Sequence, residues 1–185
     1  AKVNDLICVS GYLGGAYLGL LLLEREKKIF LETKGVQPDL EDRSYIVGRL
    51  LKPEARKDII DFFKNVQLTP TAMMDISDGL SSEVLHICKQ SEVGAVLYED
   101  KIPVHPDAKE FAYKLEIDPT ACALSGGEDY ELVFTISQND YDKIKEVNGI
   151  SVIGYITEAK EDATIITRGG NKHKLIAQGW NSFSK

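Results

Sequence analysis

Two short acidic runs, about fifty residues apart, constrain this chain more than any other feature of its sequence. Residues 73–80 and 124–132 each place carboxylates beside glycine or serine where an apolar, strand-like segment meets a turn. Such a junction combines oxygen ligands with accessible backbone N–H groups, which are the groups that bind magnesium and phosphate. One run of this kind is a weak signal, but two in one chain of this size predict an enzyme that handles nucleotide phosphates.

The size and charge of the chain exclude several classes of protein. Its 185 residues suffice for one domain with a substantial core, but not for two domains of ordinary size. The net charge of −7, with basic residues scattered along the sequence, argues against nucleic-acid binding, which requires clustered Lys and Arg. We therefore expect a single globular domain over residues 1–185, with no nucleic-acid partner.

The cysteines and the apolar segments indicate a cytoplasmic location. Cys8, Cys88 and Cys122 are far apart and have apolar neighbours, so we expect three buried thiols and neither a disulfide nor a zinc site. The most hydrophobic segment, residues 17–23, is much shorter than the roughly 20 apolar residues of a membrane span. We therefore expect no membrane partner.

The hydrophobic pattern predicts the fold class α/β (α+β), with a mixed sheet covered by helices. The predicted strands comprise residues 6–10, 71–76, 95–98, 132–136, 151–157, 164–167 and 174–176. The predicted helices comprise a segment from the Gly14-Gly15 pair to near Glu26, residues 41–51, a helix with Pro53 near its start and an apolar stripe at Ile59, Ile60, Phe62 and Phe63, and residues 79–90, 107–115 and 139–147.

In the first acidic run, Asp75 and Asp78 flank Ser77 at a predicted strand-to-helix junction. Asp75 would project from the strand end as an oxygen ligand, and Ser77 would offer a hydroxyl near the positive end of the helix. Two other interpretations stay open, because Asp78 would also suit a simple N-cap and Asp75 would also suit an exposed loop. If Asp75 is buried, its carboxylate requires a charged partner or a metal ion.

In the second acidic run, Glu128 follows a Gly-Gly pair and precedes a predicted strand. Its carboxylate would accept a hydrogen bond from an amino group or balance the charge of a cationic ligand. A tight turn with solvated acids is the alternative interpretation, which an isolated Gly-Gly-acid run favours.

Two further features have both a structural and a functional interpretation. The Gly14-Gly15 pair either lets a helix pack closely or opens a helix N-terminus to phosphate, although it lacks the Lys of a P-loop. Trp180, the single tryptophan, either tethers the C-terminus to the core or stacks on an aromatic or cationic ring. We assign no catalytic role to any of the three histidines.

Four segments together resemble the thiamine-monophosphate kinase family, within the superfamily that includes aminoimidazole ribonucleotide synthetase. They are residues 5–11, 75–80 and 125–132 and the terminal Gly179-Trp180. The two acidic runs in this order are specific to the superfamily, and the terminal aromatic residue favours the kinase within it. The resemblance spans the chain and implies the fold of the superfamily's C-terminal domain.

The resemblance implies ATP-dependent phosphorylation of thiamine monophosphate to thiamine diphosphate, a step of thiamine biosynthesis. ATP would be the co-substrate and Mg²⁺ the cofactor, with no side-chain nucleophile. By position, Asp75 and Asp78 are similar to magnesium ligands, and Ser77 is similar to an ATP contact. Glu128 and Trp180 are similar to contacts with thiamine phosphate.

The resemblance covers only the C-terminal half of such an enzyme. The family's N-terminal domain, which supplies most of the metal-binding aspartates and much of the ATP site, is missing, and the sequence begins at Ala1 without an initiator methionine. We therefore expect residues 1–185 to be the C-terminal domain of a two-domain kinase, inactive alone and homodimeric as the full-length protein. Tyr12 replaces the small or polar residue expected in the turn from Gly11 to Gly14, which counts against a phosphate role for this turn.

Two alternatives to the kinase stay open from the sequence. One is another ATP-dependent enzyme of the same superfamily, which activates an amide or a selenide. The other is a domain that binds a nucleotide or a vitamin phosphate without catalysis. Trp180 discriminates between the enzymes, because stacking has no purpose if the acceptor lacks an aromatic ring.

Overall fold

The computed structural model describes residues 1–33 and 35–177, so the predicted role of Trp180 lies outside the described residues. In these ranges the strands are β1 (Leu6–Ser10), β2 (Ala72–Asp75), β3 (Val93–Tyr98), β4 (Leu132–Ile136), β5 (Ile150–Glu158), β6 (Ala163–Ile166) and β7 (Lys172–Lys174). The α-helices are α1 (Gly15–Glu32), α2 (Ser44–Leu51), α3 (Lys57–Asn65), α4 (Leu80–Ser91), α5 (Pro106–Lys114), α6 (Pro119–Ser125) and α7 (Tyr141–Ile144). Single 3₁₀ turns lie at Glu99–Lys101, Gln138–Asp140 and Ala159–Glu161.

The strands form one mixed sheet in the order β2-β4-β1-β5-β3-β6-β7. Strands β3 and β6 are parallel, and the other neighbouring pairs are antiparallel. Because β2 and β4 are neighbours, Asp75 at the end of β2 is paired with Leu132 at the start of β4. The topology therefore brings the two acidic runs to one edge of the sheet.

The sheet has an apolar core on each face, because successive side chains of a strand point to opposite faces. In β1, Ile7 and Val9 join the larger core under α1, α2, α4, α5 and α6, whereas Cys8 joins the smaller core. The smaller core consists of Cys8, Phe134 and Ile136 from the sheet, Ile59 and Phe63 from α3, Leu68, and Ile144 from α7. Helices thus cover both faces, as the predicted fold class requires.

Several predictions from the sequence are confirmed. The strands at residues 6–10 and 132–136 have the predicted bounds. The three cysteines are buried and free. The predicted helix at residues 79–90 is confirmed as α4, whose apolar face is buried at Leu80, Val84, Ile87 and Cys88.

A separate observation concerns the helices: among the residues that the structure describes, no helix is both long and apolar enough to cross a membrane.

The first two helices differ from their predicted bounds. Helix α1 continues past Glu26 to Glu32, because the charged residues of its last turns favour a solvated helix. Helix α2 begins only at Ser44. The reason is Asp42, whose φ of +57° lies in the left-handed region and cannot belong to an α-helix.

Three further segments also differ. Pro53 lies in the loop before α3, which begins at Lys57 and leaves Arg56 free to reach the sheet. Helix α6 was not predicted, although Asp118 accepts a hydrogen bond from Thr120 N at 2.8 Å and Pro119 occupies the first turn, as at many helix starts. The predicted helix at residues 139–147 is reduced to α7 and the preceding 3₁₀ turn.

Candidate active site

The two acidic runs pack directly against each other. Glu128 N donates a hydrogen bond to Ser77 O at 2.8 Å, and Tyr130 N donates to Ile76 O at 2.9 Å. In the opposite direction, Ile76 N donates to Glu131 O at 2.7 Å. The two runs therefore form one site, which sequence spacing alone does not show.

Two glycines allow this close approach. Gly79 has a φ of +112°, and a Cβ atom there would lie 2.7 Å from Leu124 O. Gly127 has a φ of +68°, and its Cβ atom would lie 2.6 Å from Ser77 O. A side chain at either position would clash with the backbone of the other run and force the two runs apart. Both positions therefore require glycine for the close contact.

Three carboxylates of the site face solvent. Asp75 ends β2, Asp78 precedes α4, and Glu128 follows the Gly-Gly pair; all three residues are exposed. None of the three carboxylates forms an ion pair with a residue that the structure describes. Because Asp75 is exposed, the condition under which its carboxylate would require a charged partner or a metal ion, namely burial, is not met.

Tyr130 lies among these carboxylates. The neighbouring Glu128 carboxylate, followed by burial and then by the negative charges of Asp75 and Asp78, raises the pKa of Tyr130. Its φ of +49° is rare for an aromatic residue and is held by the bond to Ile76 O. The site is thus a concentration of negative charge around one tyrosine.

A pocket of about 360 Å³ opens beside the carboxylates. Asp75, Tyr130 and Leu132 line one side. Residues 53–56, in the loop between α2 and α3, line the other. A mostly apolar pocket with a few polar groups at its rim has the general character of a small-molecule site.

The hypothesis that Asp78 caps α4 is wrong. The N-cap residue is Gly79, and no side chain of the N-cap residue makes a capping bond. Glu83, inside the helix, instead binds the turn before it, because its Oε1 accepts hydrogen bonds from Asp78 N at 2.9 Å and Ser77 N at 3.2 Å. The Asp78 side chain is left exposed and free for a ligand.

The second run is not simply a tight turn with solvated acids, because one of its acids is buried. Asp129 is only 1% exposed, and its carboxylate accepts hydrogen bonds from Gly14 N at 2.6 Å and Ala16 N at 3.3 Å. Burial raises the pKa of Asp129 to about 6. Because Asp129 occupies the N-terminus of α1, the Gly14-Gly15 pair serves helix packing and not phosphate binding.

Sequence reasoning also missed the charge network around Glu131. This residue is 3% exposed, and its carboxylate pairs with Arg56 and, at 3.1 Å, with Arg49. Ser10 Oγ donates to the same carboxylate at 2.5 Å. Arg56 also pairs with Asp58 at 2.8 Å. No sequence signal pairs these residues, since they come from four separate segments.

The exposed carboxylates fit part of a magnesium site. Mg²⁺ prefers oxygen ligands and is usually held by one or two carboxylates, several waters and substrate phosphates. Asp75 and Asp78 provide such carboxylates, and neither forms an ion pair within the described part of the chain. In the part of the chain that the structure describes, no group of three or more His, Cys, Asp or Glu side chains is placed to hold a metal ion by itself.

The fold and this site define a family. Residues 26–167 match the family described as "AIR synthase related protein, C-terminal domain", and the chain belongs to it. The chain is 36% identical to a thiamine-monophosphate kinase of Buchnera aphidicola (subsp. Schizaphis graminum) over 191 residues, which are 99% of this chain and 54% of that protein. It is 33% identical to a thiamine-monophosphate kinase of Aquifex aeolicus over 86% of this chain and 51% of that protein.

A solved structure agrees with these sequence matches. The structure "AaThiL complexed with AMPPCP and TMP" is 31% identical with a TM-score of 0.74, over 99% of this chain and 52% of that one. The chain thus spans about half the length of the relatives that it matches. The resemblance to the superfamily and the fold expected from it are confirmed.

Removal of the Glu131 charge should destabilise the chain strongly. In Glu131→Gln, Arg49 and Arg56 lose a buried counter-charge, so we expect the free energy of unfolding to fall by about 3–5 kcal/mol. Urea denaturation measures this loss. Asp61→Asn is the matched control, because it removes an exposed partner of Lys57 and should change little. Equal effects of the two substitutions would contradict the network.

Asp129 should make stability fall as the pH rises. Its native pKa of about 6 exceeds the ordinary value of 3.8, so the native state binds this proton more tightly than the unfolded state. The resulting stabilisation is complete below about pH 4 and is lost as the pH passes about 6, by about 1–3 kcal/mol in total. Asp129→Asn should lack this loss, so the stability of the variant relative to wild type should rise between about pH 4 and 7. Denaturation of wild type and variant at several pH values measures this difference. If the two free energies of unfolding change in parallel with pH, Asp129 stays ionised in the native state.

Proposed function

We propose that this chain forms the C-terminal half of an ATP-dependent kinase that converts thiamine monophosphate to thiamine diphosphate. The observation that carries the proposal is the convergence of residues 73–80 and 124–132 on one site with three exposed carboxylates, which form no ion pair with the residues that the structure describes. The names of the relatives support the choice of substrate. As part of the proposal, the whole protein is cytoplasmic and a homodimer.

Asp75 and Asp78 would hold magnesium in this site. Both carboxylates are exposed at the end of β2 and before α4, where they can reach a bound cation together with nucleotide phosphates. When bound, the metal supplies charge neutralisation for the transferred phosphoryl group. The protein's contribution is to orient the phosphates, since direct phosphoryl transfer requires no side-chain nucleophile.

The remaining residues would position the two substrates. Ser77 would contact ATP through its hydroxyl, which lies 3.4 Å from Glu83 Oε1 on a turn that Gly79 keeps close to the second run. Glu128 would contact thiamine phosphate, with the Tyr130 phenol beside its carboxylate. Trp180 would pack on the thiamine ring.

The chain would supply only part of the active site. Its relatives are about twice as long, and we propose that the further metal ligands come from an N-terminal domain of the same protein. Alone, the chain would bind substrate weakly and transfer no phosphate. An amide- or selenide-activating enzyme is a weaker candidate, since it leaves Trp180 without a ring on which to stack.

An assay of thiamine diphosphate formation tests the proposal. In the two-domain protein that carries this chain, Asp75→Asn should lower turnover at limiting magnesium by about 100-fold or more, because metal neutralisation contributes several kcal/mol to phosphoryl transfer. Thermal stability should stay equal or rise slightly, since one of several like charges is removed. Asp78→Asn should behave alike, because Asp78 caps no helix.

Asp142→Asn, on an exposed residue in α7, is the control for this assay and should leave turnover unchanged. Normal turnover of Asp75→Asn at limiting magnesium would refute the metal assignment. Absence of product from the wild-type two-domain protein, or equal turnover by residues 1–185 alone, would refute the proposed function or its two-domain form respectively.

Trp180 provides an independent test of the substrate. Stacking on a heterocycle is worth about 1–3 kcal/mol, so Trp180→Ala should weaken thiamine monophosphate binding about tenfold or more, whereas Trp180→Phe should retain much of the affinity. As the single tryptophan, it should also change its fluorescence when the two-domain protein is saturated with substrate. An unchanged emission together with unchanged affinity in Trp180→Ala would leave it only a tethering role.

A further inference from the structure

Glu83 lies under the turn that carries the proposed ATP and magnesium contacts. It is 1% exposed, and its Oε1 accepts hydrogen bonds from Asp78 N at 2.9 Å, Ser77 N at 3.2 Å and Ser77 Oγ at 3.4 Å. One carboxylate oxygen therefore binds three donors of two consecutive residues. On the other side of the turn, Ser77 O accepts the hydrogen bond from Glu128 N.

The rest of the Glu83 carboxyl group is unfavourably placed. Among the described residues, no group hydrogen-bonds its Oε2, which is fully buried. Burial, the largest influence, raises the pKa of Glu83 despite the hydrogen bonds from the turn. A buried oxygen without a hydrogen-bond partner is destabilising. Glu83 therefore lowers the stability of the fold through Oε2, whereas its Oε1 binds the turn.

Backbone hydrogen bonds from the second run hold one side of the turn, but among the described residues no side chain other than Glu83 hydrogen-bonds Ser77 or Asp78. Gly79 follows it with a φ of +112°, a conformation that glycine adopts easily but does not enforce. The N-cap side chain contributes no bond, because the N-cap is this glycine. Glu83 therefore supplies the side-chain bonds that define the orientation of residues 77 and 78 relative to α4.

We propose that Glu83 is a positioning residue, which clamps the turn so that the Ser77 hydroxyl and the Asp78 carboxylate face the nucleotide and its metal ion. This inference rests on the proposed function for its catalytic consequence, but the clamp itself is a property of the isolated chain. A charge role is the competing explanation, in which Glu83 would act only by adding negative potential beside Asp78.

Two substitutions distinguish the clamp from a charge effect. Glu83→Gln removes the charge but keeps a carbonyl oxygen at the same distance from the helix, so it can still accept the bonds from Ser77 N and Asp78 N. Glu83→Leu removes both the charge and the acceptor at similar size. Ser82→Ala is the matched control, because Ser82 is buried on the same helix turn and its hydroxyl makes no bond to the Ser77–Asp78 turn.

Amide hydrogen exchange of the 185-residue chain, followed by NMR, tests the clamp directly. In Glu83→Leu, the protection of the Ser77 and Asp78 amides should fall about tenfold or more, while the amide of Phe134 in β4 stays protected. Glu83→Gln should stay within about threefold of wild type, as should Ser82→Ala. If Glu83→Leu does not fold, Glu83→Gln and Glu83→Ala decide: unchanged protection in Glu83→Ala, or full loss in Glu83→Gln, would overturn the clamp.

The magnesium requirement of the two-domain protein tests the consequence. Glu83→Leu should raise the magnesium concentration for half-maximal activity about tenfold or more, with rescue by Glu83→Gln, whereas a purely structural defect would lower activity equally at all magnesium concentrations. An unchanged magnesium requirement in Glu83→Leu, or equal impairment by Glu83→Gln, would overturn the positioning role. A wild-type protein that forms no thiamine diphosphate would refute the proposed function instead, and amide exchange would then decide whether the clamp exists.

Discussion

The buried charge network around Glu131 is the interaction on which the site depends. One carboxylate joins β1 through Ser10, α2 through Arg49 and the α2–α3 loop through Arg56, immediately after the Gly-Gly run. Two neighbouring positive charges would be strongly unfavourable at this depth without it. By pairing them, Glu131 fixes the start of β4 and therefore the position of Glu128 and Tyr130 before it.

The acids of the site thus separate into two groups with different physical roles. Asp129 and Glu131 are buried, where hydrogen bonds and ion pairs tie the second run to α1 and α2. Asp75, Asp78 and Glu128 are exposed and lack such partners among the described residues. The contacts of the buried acids fix the backbone of the second run. The exposed acids can therefore lie close together although their negative charges repel one another. Such a pattern suits a site whose remaining positive charge arrives with a ligand.

Prediction from the sequence succeeded where the signal is local. Strand β4 has the predicted bounds because a run of four apolar residues and Thr135 follows a glycine turn, and the apolar stripe of α4 is buried where a period of 3.6 places it. It failed where a distant contact decides the outcome. The side chain that binds the turn before α4 is Glu83 and not Asp78, whose own side chain is exposed. Helix α6 is a different failure, since its Asp118-Pro119 start was present in the sequence and was overlooked.

By itself, the sequence determined the mixed α/β class, the two acid–glycine runs, and the family that these runs resemble. These conclusions rest on periodicity and on residue types within short segments of sequence. Both can be recognised without knowing which residues are in contact in the folded structure. Only the tertiary structure decided that the two runs meet, because β2 and β4 become neighbours through the strand order and not through proximity in the chain. It alone also decided which acids are buried and paired, since the partners of Glu131 come from segments separated by as many as 121 residues. Contacts across such separations depend on the packing of the whole sheet, and no local pattern encodes them.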